Sequence, residues 1–459
     1  MIDKYYNGVI EQVYNHVGTT EKNIVMANYN NDFSIKNLET VKRYRAQMDS
    51  VFFASREFGY RELTGAYEPF LDTICDMFRA YGTGDFDAFL DGCGVYELHK
   101  EILHSYYESG ICKRNENVLL NEVAYEQNRM TDAMAAMLKA LAKEHPLMLV
   151  INRFQMASRS TFELVHDLIA HPDKNIGLVL GVNDSVGRKE SVADVWDRIV
   201  ESLKDRSQLY HIGSSDHRRT EIAREHVLGE GYTDNVDVDE DYEASIQKVS
   251  NIAEFLDYDQ AKRYFREVEY QIKFEDARMK NASRRAFYLL YAKTSILLGE
   301  LSKALELLTE AKNLIPAEYE IKYRAELDFL RGTCYMYQGK LDRAERYADQ
   351  SYTCAVESGD ERAVFRAELL KVMAQMSGWY NIFFCVQDIP IEPELIEKLL
   401  QYDYQNHLAH IYIYAYDNQP NVVAKAYRSE AALFYFSKGV ALAKKIGNEQ
   451  LVYDAYQKN

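Results

Sequence analysis

Four short apolar runs, each with at most one polar residue, constrain the fold of this chain more than any other feature. They all lie in the first 190 residues, at 23–27, 50–54, 147–151 and 176–180. Helical stretches such as 131–143 and 160–170 separate the runs, and Pro146 stops the helix before the third. Continuous apolar runs of this length indicate strands that are buried on both faces of a parallel sheet. Residues 1–190 are therefore predicted to form an α/β domain.

The remainder of the chain is predicted to be almost entirely helical. Its few interruptions agree with the composition, because the 459 residues include only 22 glycines and 7 prolines. Helices are expected at 192–203 and 214–228, and the acidic, aperiodic segment 232–243 is the best linker candidate. We predict a helical connector and acidic linker over residues 191–243, followed by an all-α solenoid over residues 244–459.

Charge and cysteine usage limit the compartment and the partners. The chain has 54 basic and 71 acidic residues, so its net charge of −17 argues against nucleic acid as a partner. The N-terminus lacks the apolar core of a signal peptide, and no apolar run is long enough to cross a bilayer. The six cysteines are scattered without CxxC pairs, which is typical of buried thiols in a reducing compartment. We expect a cytoplasmic protein that binds neither nucleic acid nor membrane and that can form a homo-oligomer.

Helix-turn-helix units recur in the C-terminal half. Two of them turn at Gly299 and Gly339, and small or apolar residues recur on one face of each pair, at Ala304, Leu308, Ala311, Gly332, Ala344 and Ala348. Together with Tyr335 and the closing Pro316, these residues resemble the tetratricopeptide (TPR) repeat. The spacing of 40 residues between the turn glycines exceeds the typical 34 and resembles TPR variants of bacterial signalling ATPases.

Further repeat units are expected towards the C-terminus. A third unit is predicted over 362–385 with a turn near Gly378, a later second helix over 431–446, and the start of another first helix at 452–456. Because a solenoid normally ends in a capping helix, we expect an output domain beyond Asn459. In regulators with this layout, such a domain is a diguanylate cyclase or a transcriptional module.

The TPR resemblance implies a binding surface on the first helices of the repeats. It places a set of side chains on the concave side: Leu289, Lys293, Ile296, Phe329, Thr333 and Met336. These residues do not supply the Lys, Arg and Asn set that grips acidic C-terminal tails. Their mixed apolar character favours a helix or another domain as the partner. A peptide or small-molecule receptor is the alternative.

A second resemblance covers residues 20–185. The segment 146–165, PLMLVINRFQMASRSTFELV, resembles the Walker B strand and following helix of STAND-type signalling ATPases. Residues 181–184 stand where that family has its sensor strand, and 66–71 resemble its aromatic-Pro helix entry. The expected acids are replaced by Asn152 and Arg153, and a later one by Ser158.

The phosphate loop of this resemblance falls on residues 28–37. Lys36 aligns with the phosphate-binding lysine, but Asn30 and Ile35 replace the glycines, Asn37 replaces the Mg²⁺-binding hydroxyl, and Asp32 adds a negative charge. We therefore predict a degenerate pseudo-ATPase with no catalytic residues and no cofactor. The alternative is a divergent nucleotide-dependent switch in which Lys36 binds ATP with non-standard Mg²⁺ ligands.

Two histidine-containing groups are candidates for metal binding. Cys93, His99, His104 and Cys112 follow the pattern C-x5-H-x4-H-x7-C, which is looser than structural zinc sites. His407 and His410 can share a helix face, but no acid stands nearby at a suitable spacing. We predict no metal site. The combined prediction is a non-catalytic signalling or scaffold protein that binds a protein or peptide through its solenoid.

Overall fold

The computed structural model describes residues 2–30, 33–47, 50–114, 118–186, 190–212, 241–274, 279–381, 393–417 and 430–457. The chain divides into two compact units. The first unit consists of residues 1–95, 102–112 and 127–277, and the second of residues 96–101, 113–126 and 278–459. The strands of the described residues all lie before residue 213 and helices follow them, so an α/β first part and a mostly helical second part are confirmed. The helix predicted over 214–228 and most of the predicted acidic linker lie outside the described residues.

The first unit contains a sheet of five parallel strands. In chain order these are β1 (Ile24–Tyr29), β2 (Phe52–Glu57), β3 (Leu147–Asn152), β4 (Ile176–Asn183) and β5 (Leu209–Ile212). Their order in the sheet is β2-β3-β4-β1-β5. The four apolar runs are confirmed as β1 to β4. The edge strand β5 was not predicted, because its half-exposed Leu-Tyr-His-Ile sequence lacks a continuous apolar run.

Alternate residues of the central strands supply two separate cores. Leu147, Leu149 and Ile151 of β3 belong to one hydrophobic cluster, and Met148 and Val150 belong to the cluster on the opposite face. This follows from the period of two along a strand. Because every residue of β3 and β4 is buried, both faces of the sheet are covered by helices.

Ten helices of the described residues lie before residue 275. They are α1 (Ile2–His16), α2 (Glu39–Ala46), α3 (Phe70–Tyr81), α4 (Phe86–Gly92), α5 (Glu97–Ser109), α6 (Val123–Glu144), α7 (Arg159–Ala170), α8 (Ala193–Asp205), α9 (Tyr242–Glu254) and α10 (Tyr258–Phe274). Helices α1 and α2 pack on one face of the sheet, and α3, α6, α7 and α8 pack on the other. Helices α9 and α10, which the sequence prediction assigned to the solenoid, belong to the first unit.

The second unit is built mainly from helices after residue 278. They are α11 (Asn281–Leu297), α12 (Leu301–Asn313), α13 (Glu320–Tyr337), α14 (Leu341–Ser358), α15 (Glu361–Asn381), α16 (Pro393–Gln401), α17 (Gln405–Asp417), α18 (Glu430–Lys445) and α19 (Glu449–Gln457). The predicted turns at Gly299 and Gly339 are confirmed, since both glycines have positive φ angles, of 73° and 71°. A Cβ atom on Gly332 would lie 2.6 Å from the Leu370 side chain, so α13 and α15 approach closely there.

The helical predictions near the C-terminus had mixed outcomes. Helices α18 and α19 confirm the segments predicted over 431–446 and from 452. The turn predicted near Gly378 is wrong, because α15 continues to Asn381. A single glycine costs a helix only about 1 kcal/mol, and the good helix formers before Gly378 outweigh that cost. Cys385, the end of that predicted unit, lies outside the described residues.

A buried carboxylate stabilises the second unit. Glu122 is almost completely buried, and its carboxylate accepts hydrogen bonds from Nε2 of His410 (2.9 Å) and from Nδ2 of Asn448 (2.8 Å) and Asn406 (2.8 Å). Burial alone would raise the pKa of Glu122, but the three donors hold it at about 2. The folded state therefore stabilises the ionised form of Glu122.

This cluster predicts a pH-dependent stability. A folded-state pKa of about 2, below the ordinary 4.5, means that the stabilisation is complete above pH 4.5 and is lost as the pH falls towards 2. Glu122→Gln should lower the free energy of unfolding of the helical unit by about 3 kcal/mol at pH 7, and by much less at pH 3. Urea unfolding followed by circular dichroism at both pH values measures this. Glu21→Gln, at an exposed position, is the control, and an equal loss for Glu122→Gln at both pH values would contradict the assignment.

Candidate functional sites

The parallel topology brings the carboxyl ends of four strands to one edge of the sheet. Tyr29, Glu57, Asn152 and Asn183 are the last residues of β1 to β4. In the sheet register Glu57 pairs with Asn152, and Tyr29 pairs with Asn183. Ligands of open parallel sheets bind outside this edge. The segments predicted as phosphate loop, Walker B strand and sensor strand therefore meet at one place, the carboxyl edge.

At the carboxyl edge, the Glu57 carboxylate accepts a hydrogen bond from a backbone N–H group of the segment that follows β1. The N–H of Ile35 donates to Oε2 of Glu57 (2.8 Å), and the hydroxyl of Ser34 donates to the same oxygen (3.0 Å). Lys36 lies in the short 3₁₀ turn over residues 35–37 and is exposed. In a working phosphate loop such N–H groups point at phosphate oxygens. Here an internal carboxylate takes the Ile35 N–H group.

A cation stands where the resemblance expects the second Walker B acid. Arg153 follows β3 in the left-handed conformation, with φ 55°. Its Nη1 lies 3.4 Å from Oε1 of Glu57 and donates to the carbonyl of Phe58 (3.1 Å), and its guanidinium lies 4.7 Å from the centre of the Tyr60 ring. Arg153 therefore neutralises the charge of Glu57, and a guanidinium, which has no acceptor atom, cannot ligate a metal ion.

Neutral amides fill the centre of the carboxyl edge. The Tyr29 hydroxyl donates to Oδ1 of Asn152 (2.7 Å), and Nδ2 of Asn152 donates to the carbonyl of Phe33 (3.2 Å). Asn183 donates through Nδ2 to the Tyr60 hydroxyl (2.9 Å). These buried polar groups satisfy one another, which is the usual requirement for buried hydrogen-bonding groups. The pattern is typical of a structural network.

A second candidate site lies on the helices of the second unit. Nζ of Lys293 on α11 lies 2.7 Å from Oε1 of Glu326 on α13, and the guanidinium of Arg366 on α15 lies 4.3 Å from the centre of the Phe329 ring on α13. These contacts place α11, α13 and α15 side by side. On α13, Thr333 and Met336 follow Phe329 at helical spacing and share its side of the helix. We call this surface, made by Lys293, Glu326, Phe329, Thr333, Met336 and Arg366, the α13 face.

The predicted binding residues differ in how much surface they offer. Lys293 is exposed, and Phe329, Thr333 and Met336 are half-buried. Ile296 is only 4% exposed, so it offers little surface to a partner. The Thr333 hydroxyl donates to the carbonyl of Phe329 (3.0 Å). The charge of Lys293 is the main reason that the pKa of Glu326 is lowered, so this carboxylate is ionised at neutral pH.

Sequence reasoning missed two members of the α13 face. Glu326 stands three residues before Phe329, so the helical period of the predicted residues on α13 could have identified it. Arg366 could not be found in that way, because its contact with Phe329 depends on how α15 packs against α13. Half-buried Leu289, also predicted on the concave side, makes none of the contacts that define the α13 face.

The histidines of the two candidate metal sites contact other side chains. His99 pairs with Glu126 at 2.8 Å in a buried position, and His104 contacts Asp87 at 2.7 Å. His410 binds Glu122, an acid far away in sequence, whereas His407 is buried beside Tyr404. Within the described ranges, the structure places no three His, Cys, Asp or Glu side chains together in a way that could hold a metal ion. None of the described helices is both long and apolar enough to span a bilayer.

Comparison with known proteins found no similar protein. No protein-family model matches the chain, and the searches of curated proteins and of solved structures also found no match. The resemblance to STAND-type ATPases and to TPR repeats therefore rests on the sequence motifs alone.

The carboxyl edge generates a prediction about Asp184, which directly follows β4. Burial raises its pKa from 3.8 to about 6, so the folded protein favours the protonated carboxyl and loses stability as the pH rises through 6. Asp184→Asn should therefore raise the free energy of unfolding at pH 8 by up to about 3 kcal/mol, and the gain should vanish near pH 4. Denaturant titrations at pH 4, 6 and 8 measure it, with exposed Asp85→Asn as the control. A gain that is independent of pH would contradict the raised pKa.

Proposed function

We propose that this protein is a non-catalytic signalling or scaffold protein of the cytoplasm that binds a helical segment of a partner protein on the α13 face. The observation that carries this proposal is the continuous contact across α11, α13 and α15, in which Lys293 pairs with Glu326 and Arg366 covers Phe329. Such a side-by-side arrangement of alternate helices is what the TPR resemblance implies for a partner-binding surface. The motifs and these contacts support it together.

The chemistry of the α13 face suits a helix as ligand. Phe329 and Met336 stand seven residues apart on one helix and are both half-buried, so they form an apolar strip that is two turns long. Lys293 and Arg366 border this strip from the neighbouring helices. Aromatic, Met and Arg side chains are enriched at the centres of protein interfaces, and an amphipathic helix presents apolar residues at the matching spacing.

The first unit is proposed to be a pseudo-ATPase. The support comes from the carboxyl edge, where Glu57 occupies the N–H group of Ile35 and Arg153 neutralises Glu57. Triphosphate bound there would meet the Glu57 carboxylate and would find no acid to position Mg²⁺ at Asn152 or Arg153. Lys36 is the only cation that the resemblance assigns to the phosphates, and a single exposed lysine gives weak binding.

A peptide selection tests the binding proposal. Peptides that bind the full chain are selected from a displayed library of helical sequences, and their affinities are measured by fluorescence anisotropy. Phe329→Ala should weaken binding at least tenfold, because truncating a central aromatic anchor typically costs about 2 kcal/mol. Tyr352→Ala removes an exposed aromatic from α14 and should leave the affinity unchanged. The proposal fails if no helical peptide is enriched, or if both variants bind equally well.

Nucleotide titration tests the pseudo-ATPase assignment. Isothermal titration of the full chain with ATP and ADP, with and without Mg²⁺, should show no saturable heat in the micromolar range. The reason is that the polar groups of the carboxyl edge already bind one another. Micromolar binding that is lost in Lys36→Ala would instead establish the nucleotide-dependent switch. Lys42→Ala, which removes an exposed lysine from α2, controls for the general loss of positive charge.

A further inference from the structure

A cavity of about 230 Å³ opens in the second unit where α12 ends and α13 begins. It is separate from the α13 face, since the two share no residue. Its lining combines three basic side chains, two acidic ones and three apolar ones: Lys312, Arg324, Arg331, Glu320, Asp328, Ile315, Ala317 and Leu327. The lining therefore has an excess of one positive charge.

Arg331 is the most buried of these cations. Its side chain is only 12% exposed, yet its Nη1 lies 3.6 Å from Oδ1 of Asp328, beyond hydrogen-bond length, and its Nη2 donates to the carbonyl of Leu308 at 3.4 Å. A guanidinium has five N–H donors, and charge-assisted hydrogen bonds are normally shorter than 3 Å. A largely buried cation with such long contacts retains donor capacity towards the cavity.

The other charged groups do not fill that capacity. Nε of Arg324 lies 3.3 Å from Oδ2 of Asp328, and its Nη1 lies 3.9 Å from Oε1 of Glu320. Burial raises the pKa of Asp328 even though Arg331, Arg324 and Lys312 act in the opposite direction. The Asp328 carboxylate therefore gains less from the two guanidiniums than burial costs it. Arg324, Arg331 and Lys312 thus line a cavity in which the buried Asp328 carboxylate lies too far away to form short hydrogen bonds with the two guanidiniums.

We propose that this cavity binds a small oxyanion of the phosphate class, with Arg331 and Arg324 as hydrogen-bond donors and Lys312 as a charge at the rim. Guanidinium groups match the geometry of phosphate oxygens, and lysine acts on phosphate as a point charge. The cavity is smaller than the roughly 300 Å³ at which pockets for drug-sized ligands begin, so it fits a phosphate group and not a nucleotide. Inorganic phosphate and a phosphorylated side chain supply the same chemistry.

Calorimetry with the full chain tests this proposal. Inorganic phosphate and O-phosphoserine are titrated separately at constant ionic strength, and each should bind with a dissociation constant of about 1 mM or tighter. The double variant Lys312→Gln/Arg324→Gln changes two partly or fully exposed residues and should weaken binding at least tenfold. Lys4→Gln/Lys42→Gln removes the same charge from two exposed positions on α1 and α2, and should leave the affinity unchanged.

A gain-of-binding variant makes the test sharper. Asp328→Asn preserves the shape of the side chain and removes the internal anion that competes for both arginines, so phosphate should bind severalfold tighter. Tighter binding of O-phosphoserine than of phosphate would identify a phosphorylated side chain as the source, and equal binding would identify the free anion. The proposal is overturned if neither anion binds, if the cavity variant and the charge control behave alike, or if Asp328→Asn binds more weakly than the unaltered chain.

Discussion

Burial of both faces of the sheet determines where the first unit can carry any chemistry. Every residue of β3 and β4 is buried, and their apolar side chains belong to one of two hydrophobic cores, so side chains that project from the middle of the sheet have no access to a ligand. Only the residues at the carboxyl ends of the strands remain available. At that edge, the presence or absence of a few charged groups decides between a nucleotide site and a structural network.

At the carboxyl edge, polar side chains of the protein bind one another. Glu57 accepts from the N–H of Ile35 and pairs with Arg153, while Asn152 and Asn183 satisfy the neighbouring tyrosines. A carboxylate paired with a guanidinium needs no Mg²⁺, and an N–H group that already donates to it is not free for phosphate. This network stabilises the carboxyl edge of the sheet through contacts within the protein itself.

Much of this architecture could be predicted from sequence, and the exceptions have physical reasons. Strands β1 to β4 and the turns at Gly299 and Gly339 depend on local patterns, which a single sequence displays. The interaction of Glu122 with His410 joins residues nearly 300 positions apart, and α9 and α10 belong to the first unit because of tertiary packing. Likewise, Lys36, Lys293, Phe329 and Met336 could be named from motifs, whereas Glu57 and Arg366 become visible only through their contacts.

The buried charges of this molecule differ in how well they are compensated, and this difference separates structural positions from the proposed binding positions. Glu122 has three donors within 2.9 Å and a depressed pKa, which indicates a finished structural cluster. The side chain of Arg331 is 12% exposed, and its contacts are 3.4 and 3.6 Å long. A buried charge without good hydrogen-bond partners destabilises the fold. Such a charge is therefore an advantage only where a bound ligand supplies the missing partners. The same reasoning separates the closed carboxyl edge from the α13 face, where an aromatic ring and two cations still have surface to offer.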